Sequence, residues 1–374
     1  MVKVMRTPSR YVQGRDALLH MKEQTSMLGD SYYIISNKSA LNEAKEKIEK
    51  SFKGSSCKLV FELFSGQCSM DEINRIREAV RKNNSNVIVG LGGGRSIDTA
   101  KAVAYFENLP VVIIPTIAST DAPCTALSVM YSNEGDFSKY IYFPKSPDVV
   151  IVDTEIIAKA PVKFLIARMG DALSTYFEAR ACVRSNSLNL VGGEISMAGY
   201  TAAKLCYETI IDYGYKAKLA VEKGALTPAV EKVVEAAIYL SGIGVDNGGL
   251  AAAHAVNNGF TVLDECKKTM HGELVAFGTL VQLVLEDCPE GEIEEVLNFC
   301  LRVGLPITLE QIGIKEVNEE KIRKVAKAAI DSGENIHNMP FDVTVDSLYD
   351  AIIAADNIGR QAKQIMGNKS LQQD

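Results

Sequence analysis

Residues 86–101 have the sequence NVIVGLGGGRSIDTAK, which indicates the fold class more clearly than any other part of the chain. Residues 87–91 form a short apolar run rich in β-branched side chains, which is typical of a buried parallel strand. Three glycines follow at positions 92–94, and without a Cβ they allow a tight turn and the close approach of a ligand. We expect Ser96 to cap the helix that follows, with Asp98 in its first turn.

A strand that leads through a glycine turn into a helix forms an anion site. Its free backbone N–H groups and the positive end of the helix dipole both point at the ligand. The pattern is neither G-x-G-x-x-G nor a P-loop ending in Gly-Lys-Ser/Thr, so neither nucleotide fingerprint applies. The stretch therefore predicts a phosphate-binding turn, and a glycine-rich turn without a ligand is the alternative.

Composition limits the class of protein. A chain of 374 residues is too long for one ordinary core, so we expect two domains. With 47% hydrophobic and 23% charged residues, the chain is typical of a globular protein. A net charge of −7 without a basic run argues against a nucleic-acid partner, and no apolar run is long enough to cross a membrane. The eight scattered cysteines and the absence of a signal-peptide pattern favour a cytoplasmic protein with reduced thiols.

The first 160 residues alternate between predicted strands and helices. This alternation predicts an α/β, Rossmann-like domain with a parallel sheet, from which a hairpin projects. Ligands bind at the carboxyl ends of such strands, so we expect Asn37, the glycine turn and residues 115–122 to line one crevice. The predicted strands are 2–5, 31–36, 57–64, 87–91, 111–114, 127–131, 140–143 and 149–152, and the predicted helices are 16–28, 39–52 and 69–82.

From residue 161 onward the chain has a helical period and no strand signal. We therefore place a domain boundary near residue 160, between an α/β domain (1–160) and an all-α domain (161–374). The predicted helices of the second half are 162–183, 188–213, 228–245, 250–261, 272–285, 292–301 and 345–359.

Three side chains in the helical half suggest a metal site. His254 is the polar residue of an alanine-rich run that follows two glycines, and His271 begins an apolar helix directly before Gly272. Asp171 lies in the sequence RMGDAL. Two imidazoles and one carboxylate would leave open positions on Zn²⁺ or Fe²⁺, as catalytic sites do. The alternatives are hydrogen-bonded core histidines and, for Asp171, a helix N-cap; the other two histidines, His20 and His337, give no such geometry.

Five segments together resemble one family closely. The segments are GGGRSIDTAK, PTIASTDAPCTALSVMY, MGDALSTYFEARAC, GGLAAAHAVNNGF and HGELVAFGTL. They are similar to the glycerol dehydrogenases of the iron- or zinc-containing (group III) alcohol dehydrogenase superfamily, and the resemblance extends from residue 8 to residue 340. It implies a dehydroquinate synthase-like fold, with an NAD-binding α/β domain and a helical domain that binds metal and substrate.

The resemblance also implies an activity. It is the oxidation of the secondary hydroxyl of glycerol, or of a related 1,2-diol, to the ketone with hydride transfer to NAD. The implied metal is Zn²⁺, with Fe²⁺ as the alternative, and the implied assembly is a homo-oligomer, commonly an octamer.

Site residues follow from the same resemblance. Asp171, His254 and His271 would be the metal ligands, and Asp121 would hydrogen-bond the substrate. The residues implied to bind the cofactor are Asn37, Gly93, Gly94, Arg95, Ser96, Ile97, Asp98, Thr116, Ser119, Thr125, Leu127 and Tyr131.

The chain departs from the family pattern at several of these positions. Asn37 stands where an aspartate usually faces the ribose, which predicts weaker discrimination against NADP. Arg95 replaces a common lysine but keeps the positive charge. Asn257 replaces a histidine one turn after His254, so a proton relay through a second imidazole is not expected. The sequence Val-Asp-Asn at 245–247 replaces the usual Phe-Glu-Ser, which affects the predicted shape of the substrate pocket.

Two rival functions share the scaffold. A lyase resembling dehydroquinate synthase or glycerol-1-phosphate dehydrogenase would need basic residues around the metal for a phosphate-bearing substrate. The segments near the three ligands offer few beyond Arg168, Lys267 and Lys268. A nucleotide-binding module without a metal is the other rival, and the presence of all three ligand types argues against it.

Overall fold

The computed structural model describes residues 2–371, and its chain forms two compact units. The sheet unit comprises Arg6–Leu165 and Leu219–Ile243. The helical unit comprises residues 2–5, Ile166–Lys218 and residues 244–371. The predicted single cut near residue 160 lies close to the first passage between the units, but the predicted division did not include the return of residues 219–243 to the sheet unit.

The sheet unit is built on six parallel strands. Their order is β1-β8-β5-β4-β2-β3, and β6 and β7 form a separate antiparallel hairpin. The central strands are rich in apolar residues, many of them β-branched, and are fully buried. The strands are β1 (Arg10–Gly14), β2 (Ser31–Ser36), β3 (Lys58–Leu63), β4 (Val87–Gly92), β5 (Val111–Pro115), β6 (Leu127–Tyr131), β7 (Phe137–Tyr142) and β8 (Val149–Asp153).

The predicted parallel sheet is confirmed, and most predicted strands agree with the structure to within three residues. The predicted strand at 2–5 is wrong, because Lys3 there makes only an isolated bridge with Glu194. The sequence prediction missed β1, whose residues are only partly buried at the edge of the sheet and so lack an apolar run.

The predicted helix over 16–28 is interrupted in the structure. A 3₁₀ turn over Ala17–His20 leads into the short α1 (Met21–Thr25). The other helices up to the first passage between the units are α2 (Lys38–Ser51), α3 (Met70–Asn83), α4 (Gly94–Glu107) and α5 (Thr154–Lys159).

The returning segment is anchored to β1 and α5 by polar and aromatic contacts. It carries α8 (Pro228–Glu235) and a π-helical turn over Ala236–Leu240. The Gln13 side chain donates to the Glu231 carbonyl oxygen (2.9 Å), and the Thr154 hydroxyl donates to the Glu231 carboxylate (2.7 Å). The Tyr11 ring stacks on Tyr239 with ring centroids 4.5 Å apart. These contacts explain why a helical segment completes the α/β unit.

The helical unit packs α10 and α11 against α13 and α14. The alanines and glycines of α10 bring these helices close, since small side chains permit close packing of backbones. The sequence prediction missed α13, whose surface is mostly charged. The remaining helices are α6 (Val162–Ser185), α7 (Met197–Val221), α9 (Ser241–Gly248), α10 (Ala252–Phe260), α11 (His271–Leu285), α12 (Glu290–Val303), α13 (Glu319–Ala329) and α14 (Val345–Leu371). Among the described residues, no helix is long and apolar enough to span a membrane.

Candidate nucleotide turn and metal centre

The glycine turn joins β4 to α4 as the sequence predicts. Gly92 has a φ of +135°, a conformation that favours glycine, and a Cβ there would lie 2.7 Å from the Ser96 hydroxyl oxygen. The helix begins three residues earlier than expected, at Gly94. Ser96 is therefore not the N-cap, and its hydroxyl instead donates to the Gly93 carbonyl oxygen (2.9 Å).

The N-terminus of α4 has no side-chain cap, because its N-cap residue is Gly93. The helices that follow β2 and β3 differ, since the side chains of Asn37 and Ser69 accept hydrogen bonds from the first turns of α2 and α3. A turn that keeps its backbone N–H groups clear of side chains suits an anion. The Gly94 Cα lies so close to Thr120 that a Cβ would come within 3.3 Å of its side chain.

Asp98 lies inside the sheet unit and has a structural role. It is buried, its carboxylate pairs with Lys101 (2.9 Å), and its other oxygen accepts the Val129 N–H of β6 (3.1 Å). Burial raises its pKa against the opposing effect of Lys101. The expectation that Asp98 lies in the first turn of α4 is wrong, because the helix starts earlier. Asp98 therefore joins the hairpin to the helix, and Ile97 beside it is buried as well.

The expected juxtaposition of strand ends is present, because β2, β4 and β5 are neighbours in the sheet. Asn37 follows β2, exposed to solvent, and its side-chain oxygen accepts the Ala40 N–H (2.9 Å), so it acts as a helix cap. Thr116 follows β5, buried, and its N–H donates to the Gly92 carbonyl oxygen (3.1 Å). Ser119 is partly exposed in the loop beyond.

The hairpin residues named in the sequence analysis lie beside α4. The Arg95 guanidinium lies 4.9 Å from the centroid of the Tyr131 ring. The backbone oxygens of Thr125 (3.3 Å) and Leu127 both accept hydrogen bonds from the Lys101 ammonium group. This buried lysine therefore fixes the loop that leads into β6.

Asp121 belongs to the loop between β5 and β6. Its carboxylate accepts a hydrogen bond from the Ser241 hydroxyl (3.0 Å), directly after the π-helical turn. Ser241 was not identified from the sequence, because 120 residues separate it from Asp121. π-Helical turns occur frequently at functional sites.

In the helical unit, the three predicted metal ligands converge. The Nε2 atom of His254 lies 3.3 Å, and that of His271 3.6 Å, from Oδ1 of Asp171. One ligand atom of each residue lies within 4.8 Å of the other two, and the two imidazole rings are 5.4 Å apart. Asp171 lies in the middle of α6 and not at a helix N-terminus, so the N-cap interpretation is wrong.

The arrangement fits a metal ion. Asp171 Oδ1 is a buried carboxylate oxygen without a hydrogen-bond partner in the described part of the chain, and two imidazole nitrogens face it. Two imidazoles and a carboxylate are ligands that Zn²⁺ and Fe²⁺ accept. His254 is almost fully buried, whereas the His271 side chain is 45% exposed, so one side of the cluster is accessible. His20 and His337 take no part, since they contact Glu23 and the Asp331 carbonyl oxygen.

Buried charges set the electrostatics of this cluster. Burial opposes ionisation of Asp171, but the Arg168 guanidinium and the imidazoles of His271 and His254 hold its pKa well below the usual range. Burial also disfavours the imidazolium of His254, but Glu178 and Asp171 raise its pKa well above the usual value. The two buried carboxylates therefore favour positive charge at the position of the imidazoles.

Two glycines bring the ligand helices together. A Cβ on Gly272 would overlap the carbonyl oxygen of Ala167 in α6, and a Cβ on Gly170 would lie 2.5 Å from the carbonyl oxygen of Gly272. Asp171 directly follows Gly170, and His271 directly precedes Gly272. The close crossing of α6 and α11 therefore brings the carboxylate to the imidazole.

Two further charged residues at the site were not assigned a role from the sequence. Arg168 is fully buried and donates to Asp171 Oδ2, and Glu178 is fully buried behind His254. The spacing carried a signal for Glu178, because residues seven apart lie on one face of a helix, as Asp171 and Glu178 do in α6.

The fold and the cluster define a class of two-unit proteins with an α/β part and a helical, metal-binding part. The family model of iron-containing alcohol dehydrogenases matches residues 8–154. A glycerol dehydrogenase of Citrobacter freundii is 49% identical over 361 residues, which is 96% of this chain and 99% of that protein. A glycerol dehydrogenase of Thermotoga maritima is 49% identical, covering 96% and 98% of the two chains. The crystal structure of glycerol dehydrogenase from Schizosaccharomyces pombe aligns with a TM-score of 0.93 at 38% identity, over 98% of this chain and 93% of that one.

The chain belongs to the iron-containing alcohol dehydrogenase family. It is therefore an oxidoreductase, and the predicted resemblance and fold class are confirmed.

Proposed function

We propose that this protein is an NAD-linked, metal-dependent glycerol dehydrogenase. In this reaction the secondary hydroxyl of glycerol or a related 1,2-diol is oxidised to the ketone, which for glycerol is dihydroxyacetone. The observation that carries the proposal is the convergence of Asp171, His254 and His271. Relatives named as glycerol dehydrogenases match the chain over nearly its full length and support the same activity.

The metal would be held by Asp171 Oδ1 and the two Nε2 atoms, with Zn²⁺ as the first candidate and Fe²⁺ as the second. When bound, it supplies a Lewis acid that lowers the pKa of the substrate hydroxyl. The protein's part is to hold three ligands rigidly: Asp171 through Arg168, and His254 through Glu178. Three protein ligands leave coordination positions open for a small hydroxylated substrate.

The glycine turn would hold the cofactor pyrophosphate. Its support is the uncapped N-terminus of α4, with the exposed Arg95 in the first turn. NAD, when bound, supplies the hydride acceptor, and the protein orients it. Without a carboxylate at Asn37, we propose that NADP is tolerated to some degree.

Asp121 would hydrogen-bond a terminal hydroxyl of the substrate. Its support is the Ser241 hydrogen bond, which holds the carboxylate in one orientation, and its incomplete burial. Asn257 carries an amide that cannot accept and release a proton as an imidazole does, so no proton relay is proposed through it.

The test is the rate of NADH formation with glycerol, 1,2-propanediol, 2,3-butanediol and ethanol, before and after chelation. We expect the diols to exceed ethanol by more than tenfold in kcat/KM, which is more than ~1.4 kcal/mol in the transition state. We also expect chelation to abolish activity and Zn²⁺ to restore it. Undiminished turnover after complete chelation, or of His271→Ala in chelated samples, would reject the metal mechanism.

The lyase alternative has no support at this site. The nearest buried cation is Arg168, which is fully buried and pairs with Asp171, and Lys267 pairs with Asp264 on the surface. Neither would be available to bind a substrate phosphate. A homo-oligomeric assembly, an octamer by resemblance, and a cytoplasmic location stay part of the proposal.

A further inference from the structure

Glu178 occupies a position that no catalytic step explains. Its side chain is fully buried in α6, two helical turns after Asp171. Burying a carboxylate is unfavourable unless several donors satisfy it, so the donors identify what it does. Four hydrogen-bond partners surround it in the helical unit: Ser174, Ala251 and both the backbone and the ring of His254.

One oxygen of Glu178 holds the backbone at the start of α10. Oε1 accepts the N–H groups of Ala251 (2.9 Å) and His254 (3.0 Å). The N-cap residue of this helix is Ala251, whose side chain cannot accept a hydrogen bond, so Glu178 supplies the missing cap from another helix. Gln282 of α11 completes the turn, because its side-chain oxygen accepts the Ala253 N–H (3.0 Å).

The other oxygen of Glu178 holds the imidazole ring. Oε2 lies 2.7 Å from Nδ1 of His254 and also accepts the Ser174 hydroxyl (3.2 Å). A carboxylate offers no proton, so Nδ1 must donate. In the neutral ring, the form that binds a metal, Nε2 on the far side is then the nitrogen with the free electron pair, and it faces Asp171 Oδ1.

We propose that Glu178 is a positioning residue that sets the tautomer and orientation of His254 for metal binding. The inference rests on the proposed metal site, and it extends that site to a residue that makes no contact with the ion itself. Partners of this kind commonly change metal affinity by about 10–100-fold. Because the same carboxylate caps α10, the ring and the helix backbone are held by a single group.

The substitution Glu178→Gln separates the two functions of the carboxylate. The amide oxygen of glutamine can still accept the two backbone N–H groups, so the helix cap is kept. The amide nitrogen then faces His254 Nδ1 and donates to it, which places the ring proton on Nε2, where the metal should bind. The matched control is Gln282→Met, which removes the other cap of the same turn without touching the imidazole.

The experiment measures Zn²⁺ affinity by competition with a chromogenic chelator on the full-length protein. Circular dichroism and Tm of the chelated protein measure folding separately. We expect Glu178→Gln to bind Zn²⁺ at least tenfold more weakly, with its fold intact. Gln282→Met should lower the Tm and leave Zn²⁺ affinity within about threefold of the unmodified protein. The visible absorption of bound Co²⁺ should change only in Glu178→Gln.

Unchanged Zn²⁺ affinity in Glu178→Gln, or an equal loss in Gln282→Met, would overturn the positioning role and leave Glu178 as a helix cap. If Glu178→Gln does not fold, Ser174→Ala is the milder test, because it removes one donor to Glu178 Oε2 and keeps the carboxylate. This milder variant should weaken Zn²⁺ binding several-fold, and no loss would again reject the role. Absence of tight Zn²⁺ binding by the unmodified protein would reject the proposed metal site as a whole.

Discussion

Arg168 is a fully buried charge whose guanidinium donates to Asp171 Oδ2. The carboxylate is therefore divided between two tasks, since one oxygen holds the arginine and the other faces the imidazoles. Removing one partner of a buried ion pair leaves the other charge uncompensated in a low dielectric. At this position the protein thus depends on a cation beside the carboxylate.

Arg168→Met should accordingly destabilise the chelated protein by about 3–5 kcal/mol. Zn²⁺ should restore part of this loss, because it neutralises the same carboxylate. Urea denaturation with and without Zn²⁺ measures both effects. The control is Arg184→Met, which removes an ion pair from a side chain that is 54% exposed and should change stability by less than about 1 kcal/mol. Equal losses of stability in Arg168→Met and Arg184→Met would show that the buried ion pair contributes no more to stability than the exposed one.

Asn37 is the residue on which cofactor choice is expected to depend. Because it caps α2 through its side-chain oxygen, and aspartate caps helices equally well, Asn37→Asp should leave the fold intact. A carboxylate would repel the 2′-phosphate of NADP and bind the ribose hydroxyls of NAD. The preference for NAD should then rise by about 1–3 kcal/mol. Steady-state kinetics with both cofactors measure it, and an unchanged NAD/NADP ratio would mean that Asn37 serves only as a cap.

Prediction from the sequence identified some residues of the candidate site and missed others. Asp171, His254 and His271 were found because their residue types are rare or charged in apolar surroundings. Ser241 was not, because its role arises from a contact with a segment distant in the sequence. Glu178 was not, because its spacing from Asp171 indicates a shared helix face but not the contact with α10. Ser96 was misplaced as a cap for a different reason: a glycine turn imposes no side-chain preference, so the start of the helix was not defined.

At the scale of elements, the proposed metal centre depends on the crossing of α6 and α11. Apolar periodicity predicted both helices, but it could not predict that the backbones meet at Gly170 and Gly272. Likewise, buried strands such as β2 and β4 were readily predicted, while the edge strand β1 lacked a pattern. Burial on both faces leaves a sequence signal, whereas the polar edge strand β1 and a contact between backbones do not.

Gly272→Ala tests this crossing. Its Cβ would overlap the Ala167 carbonyl oxygen, so α6 and α11 must move apart. We expect a loss of about 1–3 kcal/mol in unfolding free energy, together with weaker Zn²⁺ binding. The control is Gly291→Ala in α12, where a Cβ meets nothing within 4 Å and the higher helix propensity should stabilise by up to about 1 kcal/mol. Tm and chelator competition measure the two effects, and unchanged Zn²⁺ affinity in Gly272→Ala would separate the crossing from the metal site.

At the scale of the whole molecule, the predicted cofactor-binding residues and the predicted metal-binding residues lie in different units. The proposed cofactor residues all lie in the sheet unit, and the three proposed metal ligands all lie in the helical unit. NAD added alone should therefore stabilise the sheet unit, and Zn²⁺ added alone should stabilise the helical unit.

Hydrogen exchange measured by mass spectrometry tests this division. Zn²⁺ alone should slow exchange in α6, the first turn of α10 and the start of α11. NAD alone should slow exchange around residues 92–98 and at the carboxyl ends of β2 and β5. Zn²⁺ protection confined to peptides of the sheet unit would contradict the assignment of the metal ligands.

The return of residues 219–243 to the sheet unit also has a consequence for synthesis on the ribosome. Domains usually fold as they emerge, but this α/β unit is incomplete when residue 165 leaves the exit tunnel. At about 5–20 residues per second, the missing segment follows roughly 4–16 s later. Until then, Tyr11, Gln13 and Thr154 lack the contacts that they make with Tyr239 and Glu231 in the folded protein. The nascent chain must hold an unfinished sheet while more than fifty residues of the helical unit emerge, and a chaperone that binds exposed apolar surface would act in that interval.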